Sequence, residues 1–116
     1  MPLIRLTTSV APPAETVQTV LASLSKIAAE TIGKPEQYVM AAAGTGPMLM
    51  SGQAGPAALV EVRSIGGLNP KVNQQITRKV CALLEQSLGV PPERVFLNFT
   101  EVPPSDWGWR GKTFGD

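Results

Sequence analysis

The chain repeats its own design at about half its length. Gly33-Lys34-Pro35-Glu36-Gln37-Tyr38-Val39 and Gly89-Val90-Pro91-Pro92-Glu93-Arg94-Val95 carry a glycine, a proline and a valine at matched spacing, 56 positions apart. Each segment ends a helical pattern with glycine, blocks it with proline and opens an apolar run. That is the order of helix C-cap, helix stop and strand. The preceding segments match as well. Leu3–Thr7 and Leu59–Arg63 both interleave apolar and polar residues, the period of a strand with one buried face. Between strand and glycine lies a helical stretch in each half. The first starts near Pro13, with Val17, Val20, Leu21, Leu24, Ile27 and Ala28 forming one stripe. The second has Asn69 at the N-cap, Pro70 at the first helical position, and Val72, Ile76, Val80, Leu83 and Leu84 on its apolar face.

Strands are predicted at Tyr38–Ala43 and Val95–Val102, with short ones at Met48–Met50 and near Trp107–Trp109. Gly44-Thr45-Gly46-Pro47 and Ser51–Pro56 read as turns. The expected fold is α/β (α+β): two β-α-β repeats make one four-stranded sheet with both helices on one face, plus short extra strands. Nothing marks a linker, so residues 1–116 form a single domain. The second sheet face is left without a cover. Charged residues make up only 16%, against about 25% in a typical domain. Another subunit is the expected cover.

Composition excludes several chemistries. There is no histidine, so a chain on its own has no Ser-His-Asp triad, Cys-His pair or histidine metal site. A lone cysteine, Cys81, allows neither an internal disulfide nor a CxxC motif; it falls among the apolar positions of the second helix. No metal and no cofactor is expected. The net charge of +1 is spread over scattered single lysines and arginines, which argues against nucleic acid and membrane surfaces. No apolar run is long enough to span a bilayer, and no N-terminal stretch combines a basic region with an apolar core, so no signal peptide is expected. A cytoplasmic protein is the default expectation. Asn98-Phe99-Thr100 fits the glycosylation pattern but lies in an apolar strand, and is read as chance.

One group remains that could work as a base. Pro2 follows Met1. A peptide-bound proline nitrogen carries no proton and has no acid–base role. Loss of Met1 would turn it into a secondary amine. An apolar pocket or a neighbouring cation would lower its pKa towards neutrality, where a general base works best. By position alone, Pro2 is equally an ordinary second residue.

Met1-Pro2, Thr31–Tyr38 with its Gly33-Lys34-Pro35, Ser64-Ile65-Gly66, Pro92–Asn98, and Gly108-Trp109 with Thr113-Phe114 stand in an order that resembles the macrophage migration inhibitory factor family of the tautomerase superfamily. The resemblance covers nearly the whole length. It implies a trimeric tautomerase-like fold, with sheets facing inward and three pockets at the subunit interfaces. It implies a keto–enol tautomerase acting on aromatic 2-oxo acids such as phenylpyruvate, with processed Pro2 as the acid/base. It assigns Lys34 to the substrate carboxylate and the backbone N–H of Ile65 to the substrate. Asn98 would be a polar pocket residue from the neighbouring subunit. Trp109 and Phe114 would form an aromatic wall. Read by themselves, Lys34 is a solvated lysine at a helix end, Ile65 an apolar strand end, and the aromatic pair the packing of the C-terminal segment.

The chain also departs from the mammalian members of the family it resembles. Phe96 stands where they have a tyrosine able to hydrogen-bond the substrate. Trp107 replaces a smaller aliphatic residue and narrows the expected pocket. Ala57 and Val60 stand where they have the cysteines of a CxxC motif, so thiol–disulfide activity is not expected. Two other readings stay open. One is a signalling protein exported without a leader and acting on a protein receptor. The other is a different reaction of the same proline on a small unsaturated acid; sibling families use arginine pairs there, and only Arg5 lies on the first strand.

Overall fold

A computed structural model describes residues 1–115. The repeat is drawn in the backbone, with one offset from the first strand through the 3-10 turn. Strand β1 (Pro2–Thr8), helix α1 (Ala14–Ile32) and a 3-10 turn (Glu36–Tyr38) lead into β2 (Met40–Thr45). Then β3 (Ala58–Ser64), α2 (Pro70–Leu88) and a second 3-10 turn (Pro92–Arg94) lead into β4 (Val95–Glu101). Both helices have 19 residues. Each is closed by a left-handed glycine, Gly33 at φ 81° and Gly89 at φ 67°, the conformation that glycine adopts at least cost. Asn69 caps α2 as its sequence predicts, its Oδ1 accepting from the Val72 amide at 2.9 Å. Pro13 occupies the N-cap position of α1 without a side-chain bond.

The sheet order is β2-β1-β3-β4. β1 and β2 are parallel, β3 and β4 are parallel, and the two halves join through the antiparallel β1–β3 pair. Ile4 and Leu6 of β1, with Val60 and Val62 of β3, point to one side. There they meet Val20, Leu24 and Ala28 of α1 and Ile76, Val80 and Leu84 of α2 in one buried core. Burial of each such aliphatic side chain stabilises the fold by about 1.5–3 kcal/mol. Cys81 packs at the edge of this core, where burial and then Glu85 push its thiol pKa up.

Among the described residues no helix or strand covers the opposite face, as expected. It is not apolar throughout, however. Arg5 is fixed to Glu61 by bonds of 3.0 and 2.6 Å, and Arg63 stands 3.5 Å from the other Glu61 oxygen. Strand alternation puts these three in the middle of the face, between Leu3, Leu59 and Phe96. A dry apolar cover over that centre would strand charges. The face is built for apolar contact near its margins and for water at its centre.

Three local expectations need correction. Tyr38 is not in a strand: Pro35 sets up a 3-10 turn, the Tyr38 amide bonds Pro35 O at 3.0 Å, and β2 starts two residues later. Gly44 and Thr45 are not a turn but the end of β2, held by pairing with Thr7 and Thr8. Met48–Met50 forms no strand beyond a single bridge from Met50 to Gln53. Arg94 organises that loop instead, donating to Pro56 O at 2.7 Å, Gln53 O at 3.0 Å and Met50 O at 3.3 Å. The short strands near the C-terminus are β5 (Gly108–Trp109) and β6 (Lys112–Thr113), an antiparallel pair.

Candidate functional site

β1 begins at its functional residue. Pro2 pairs with Ser64 across the β1–β3 ladder, and its side chain is fully buried. Ser64 is buried as well, its hydroxyl donating to Gly66 O at 2.7 Å. This bond curls the chain after β3 into a tight loop, in which Gly66 and Gly67 take φ values of 74° and 85°. Ile65 lies between Ser64 and that pair. Its amide has no backbone or side-chain acceptor among the described residues, so it is a free donor next to Pro2's strand partner. Gly67 packs against Ile32 and faces the Lys34 stem, with Lys34 Cε 3.5 Å from where a Cβ would stand. Lys34 itself follows the α1 C-cap, and its amide bonds Ala29 O at 3.0 Å. The C-terminus of α1, the loop after β3 and the start of β1 therefore converge.

The electrostatics agree with this convergence. Met1 is attached to Pro2, so the free amine at the site belongs to Met1. Burial holds that amine below its ordinary pKa, and the Lys34 ammonium lowers it further. An amine at this place is biased towards its neutral, proton-accepting form.

A cavity of about 440 Å³ opens at this point, lined by Met1, Pro2, Leu3, Gln37, Tyr38, Val39, Met40, Trp107, Gly108 and Trp109. Its volume fits a small organic molecule. The wall is an aromatic stack. Trp109 lies near parallel to Phe114 with centroids 5.8 Å apart, and Tyr38 meets Trp109 edge-on at 6.0 Å. A larger hollow of about 620 Å³, bounded by Ser9, Val10, Pro47–Leu49 and Ala54–Pro56, has no titratable side chain and offers no chemistry.

Of the residues expected from the sequence, Pro2, Trp107 and Trp109 line this cavity; Phe114 stacks behind Trp109, the Lys34 charge acts on the amine at the cavity, and Ile65 follows Pro2's strand partner Ser64, so these three stand beside the lining and not in it. Phe96 and Asn98 stand away from it. They lie on β4, on the uncovered face, while Pro2 points to the covered one. Phe96 is also at the far end of the sheet: it pairs with Leu59, five positions before Pro2's partner Ser64. With 64% of its surface exposed, Phe96 has no place in the protomer's own pocket. Asn98 is exposed as well and pairs in register with Glu61. Sequence reasoning missed Tyr38 and Gln37 as lining residues. Reading Tyr38 as strand hid them; the Pro35 that builds the 3-10 turn was the available signal.

Known proteins match this chain along its length. The family model for macrophage migration inhibitory factor matches residues 1–115. The rat macrophage migration inhibitory factor is 33% identical over 117 residues, covering 98% of this chain and 99% of the relative. The homolog from Trichuris trichiura is 34% identical, covering 98% and 100%. Among solved structures, the homologue from Prochlorococcus marinus is 42% identical with a TM-score of 0.91, covering 97% and 99%. The macrophage migration inhibitory factor-like protein of Entamoeba histolytica is 30% identical with a TM-score of 0.94, covering 97% and 98%. With its two β-α-β units in the tautomerase fold, the chain belongs to the macrophage migration inhibitory factor family.

Proposed function

We propose that this protein is a keto–enol tautomerase of aromatic 2-oxo acids, phenylpyruvate among them, and that Pro2 becomes its acid/base once Met1 is removed. The observation that carries the reading is that Pro2 lines an aromatic-walled cavity and pairs with Ser64, whose loop packs at Gly67 against the Lys34 stem. Without Met1, the proline nitrogen is a secondary amine at the head of a buried strand. The causes that depress the Met1 amine, burial and Lys34, act there too.

The residues divide the reaction between them. The Lys34 ammonium holds the substrate carboxylate. The Ile65 amide donates to the same head group. The aromatic end of the substrate lies against Trp109, Trp107 and Tyr38. Neutral Pro2 takes the proton from the carbon between the carbonyl and the ring. The C–H electrons form the carbon–carbon double bond, the carbonyl π electrons move onto oxygen, and that oxygen takes a proton from solvent to give the enol while Pro2 holds the proton taken from carbon. Return of the proton from Pro2 to carbon runs the reaction backwards. Bonds to oxygen that strengthen as it gains charge accelerate this step.

The active unit is a homotrimer. Phe96 and Asn98 belong to an uncovered face whose charged centre suits a water-lined interior and whose margins suit contact. A neighbour closing over the cavity mouth brings them to Pro2. The reading is tested by following enol-to-keto conversion of phenylpyruvate with protein whose intact mass shows loss of one methionine. No turnover by the processed protein removes the proposal.

A further inference from the structure

The hairpin that brings Trp109 to the cavity has an unusual corner. Gly108 pairs with Thr113 and Trp109 with Lys112, leaving only Arg110 and Gly111 to turn the chain. Both are left-handed, at φ 53° and 84°, as a two-residue type I′ turn requires. Glycine suits the second position. The first favours asparagine, aspartate or glycine, and arginine there is conformationally costly. Among the described residues only Ser51 shares this backbone state without being glycine.

The side chain that occupies the strained position is placed with purpose. The Arg110 guanidinium stands 5.1 Å from the centre of the Trp109 ring. Trp109 lines the cavity that also holds Pro2. An arginine on an aromatic ring uses its π-face for the contact and keeps the N–H donors at its edge free for a carboxylate. No carboxylate among the described residues uses them: the ion pairs there are those of Glu61 with Arg5 and Arg63. Lys112 adds a second cation to the hairpin, and no acidic residue lies on it. Among the described residues the nearest acid along the chain is Asp106, which accepts from Ser105.

We infer that Arg110 is a specificity-determining residue that binds a second anionic group, at the end of the substrate remote from its 2-oxo acid head. The inference rests on the tautomerase reading of the same cavity and narrows its substrate class to aromatic 2-oxo acids bearing a distal carboxylate. Lys34 holds the head of such a molecule, the aromatic wall holds its ring, and the edge of Arg110 receives its tail. A carboxylate there gains charge-assisted, bidentate bonds, and the stacked guanidinium is already oriented for them.

The test compares phenylpyruvate with 4-carboxyphenylpyruvate in the processed wild type and in Arg110→Asn. Asparagine keeps the left-handed turn and removes the cation. The ratio of kcat/KM, carboxylated over plain, should fall by about tenfold in Arg110→Asn, the loss of one charge-assisted contact. In the wild type that ratio should also shrink as salt is raised. An equal ratio in the two proteins overturns the inference. Quenching of tryptophan fluorescence gives the two dissociation constants without turnover. If the wild type converts neither compound yet binds the carboxylated one more tightly, and Arg110→Asn does not, the catalytic reading falls and the anion site stands. Equal ratios of dissociation constants in the two proteins end the inference as well.

Discussion

The Gly67 backbone lies so close to Ile32 that a Cβ at position 67 would stand 2.6 Å from the Ile32 Cγ2 methyl. No side chain fits there, and φ of 85° disfavours one in any case. The contact ties the loop after β3 to the end of α1, so it fixes Ile65 relative to Lys34. Gly67→Ala should cost about 2–4 kcal/mol, from overpacking and left-handed strain together. Urea unfolding at fixed protein concentration measures it, since an assembly makes stability concentration-dependent. A loss under about 0.5 kcal/mol, in the range of neutral surface changes, shows that the loop moves freely away from Ile32.

Pro2→Gly should leave the trimer assembled and remove most phenylpyruvate turnover. Glycine keeps a primary amine but loses the secondary amine and the ring. Because the Pro2 side chain is buried, circular dichroism and light scattering must accompany the assay. A folded variant with wild-type kcat/KM refutes the N-terminal base.

Lys34→Ala should weaken substrate binding and raise the pKa of the processed amine. The sign follows from the cause. Burial and the Lys34 cation both disfavour the protonated amine, and removal of the cation leaves burial alone. Turnover needs the neutral amine, so the acidic limb of the kcat/KM profile should move to higher pH. An unmoved limb with unchanged KM makes Lys34 a solvated helix-end residue.

Much of this architecture was legible because the chain states it twice. Gly33 and Gly89 with their following prolines marked both helix ends, and Asn69-Pro70 marked one start. Tyr38 was misplaced because an aromatic next to valine reads as strand, while Pro35 three positions earlier had already committed the chain to a 3-10 turn. Arg94 could not be foreseen as the clamp of the Met50–Pro56 loop, since its three acceptors are carbonyls 38 to 44 residues away. The same holds for the uncovered face. Composition announced a missing cover, but the Arg5–Glu61–Arg63 cluster at its centre depends on register. Of the site, Pro2 was raised by its position behind Met1, while Lys34 and Ile65 were carried by family resemblance rather than by pattern. Their convergence is a property of the β1–β3 ladder and the Gly67 contact.

Phe96→Tyr tests whether the exposed ring of β4 faces a substrate. The ring stays in place and gains a hydroxyl. Hydroxyphenylpyruvate should gain on phenylpyruvate by roughly 1 kcal/mol in kcat/KM, since the new bond replaces one to water. Identical ratios in the two proteins mean that the Phe96 edge points elsewhere.

The division of the site between subunits has a test of its own. Phe96→Asp places an anion where an anionic substrate must enter and should abolish turnover in the homotrimer. Pro2→Gly should remove most of it from the other side. Pro2 and Phe96 lie on opposite faces of the sheet, so in the proposed trimer a Phe96 that completes the cavity must come from the neighbour. In trimers reassembled from an equal mixture, about a quarter of the interfaces pair an intact Pro2 with an intact Phe96 of the neighbour. Turnover should therefore return to about a quarter of the wild-type level, provided that both variants assemble as well as the wild type. Light scattering and exchange of a tagged subunit establish that condition. Activity that stays at the level of the separate variants, in trimers shown to be mixed, means that Phe96 does not complete the neighbour's cavity.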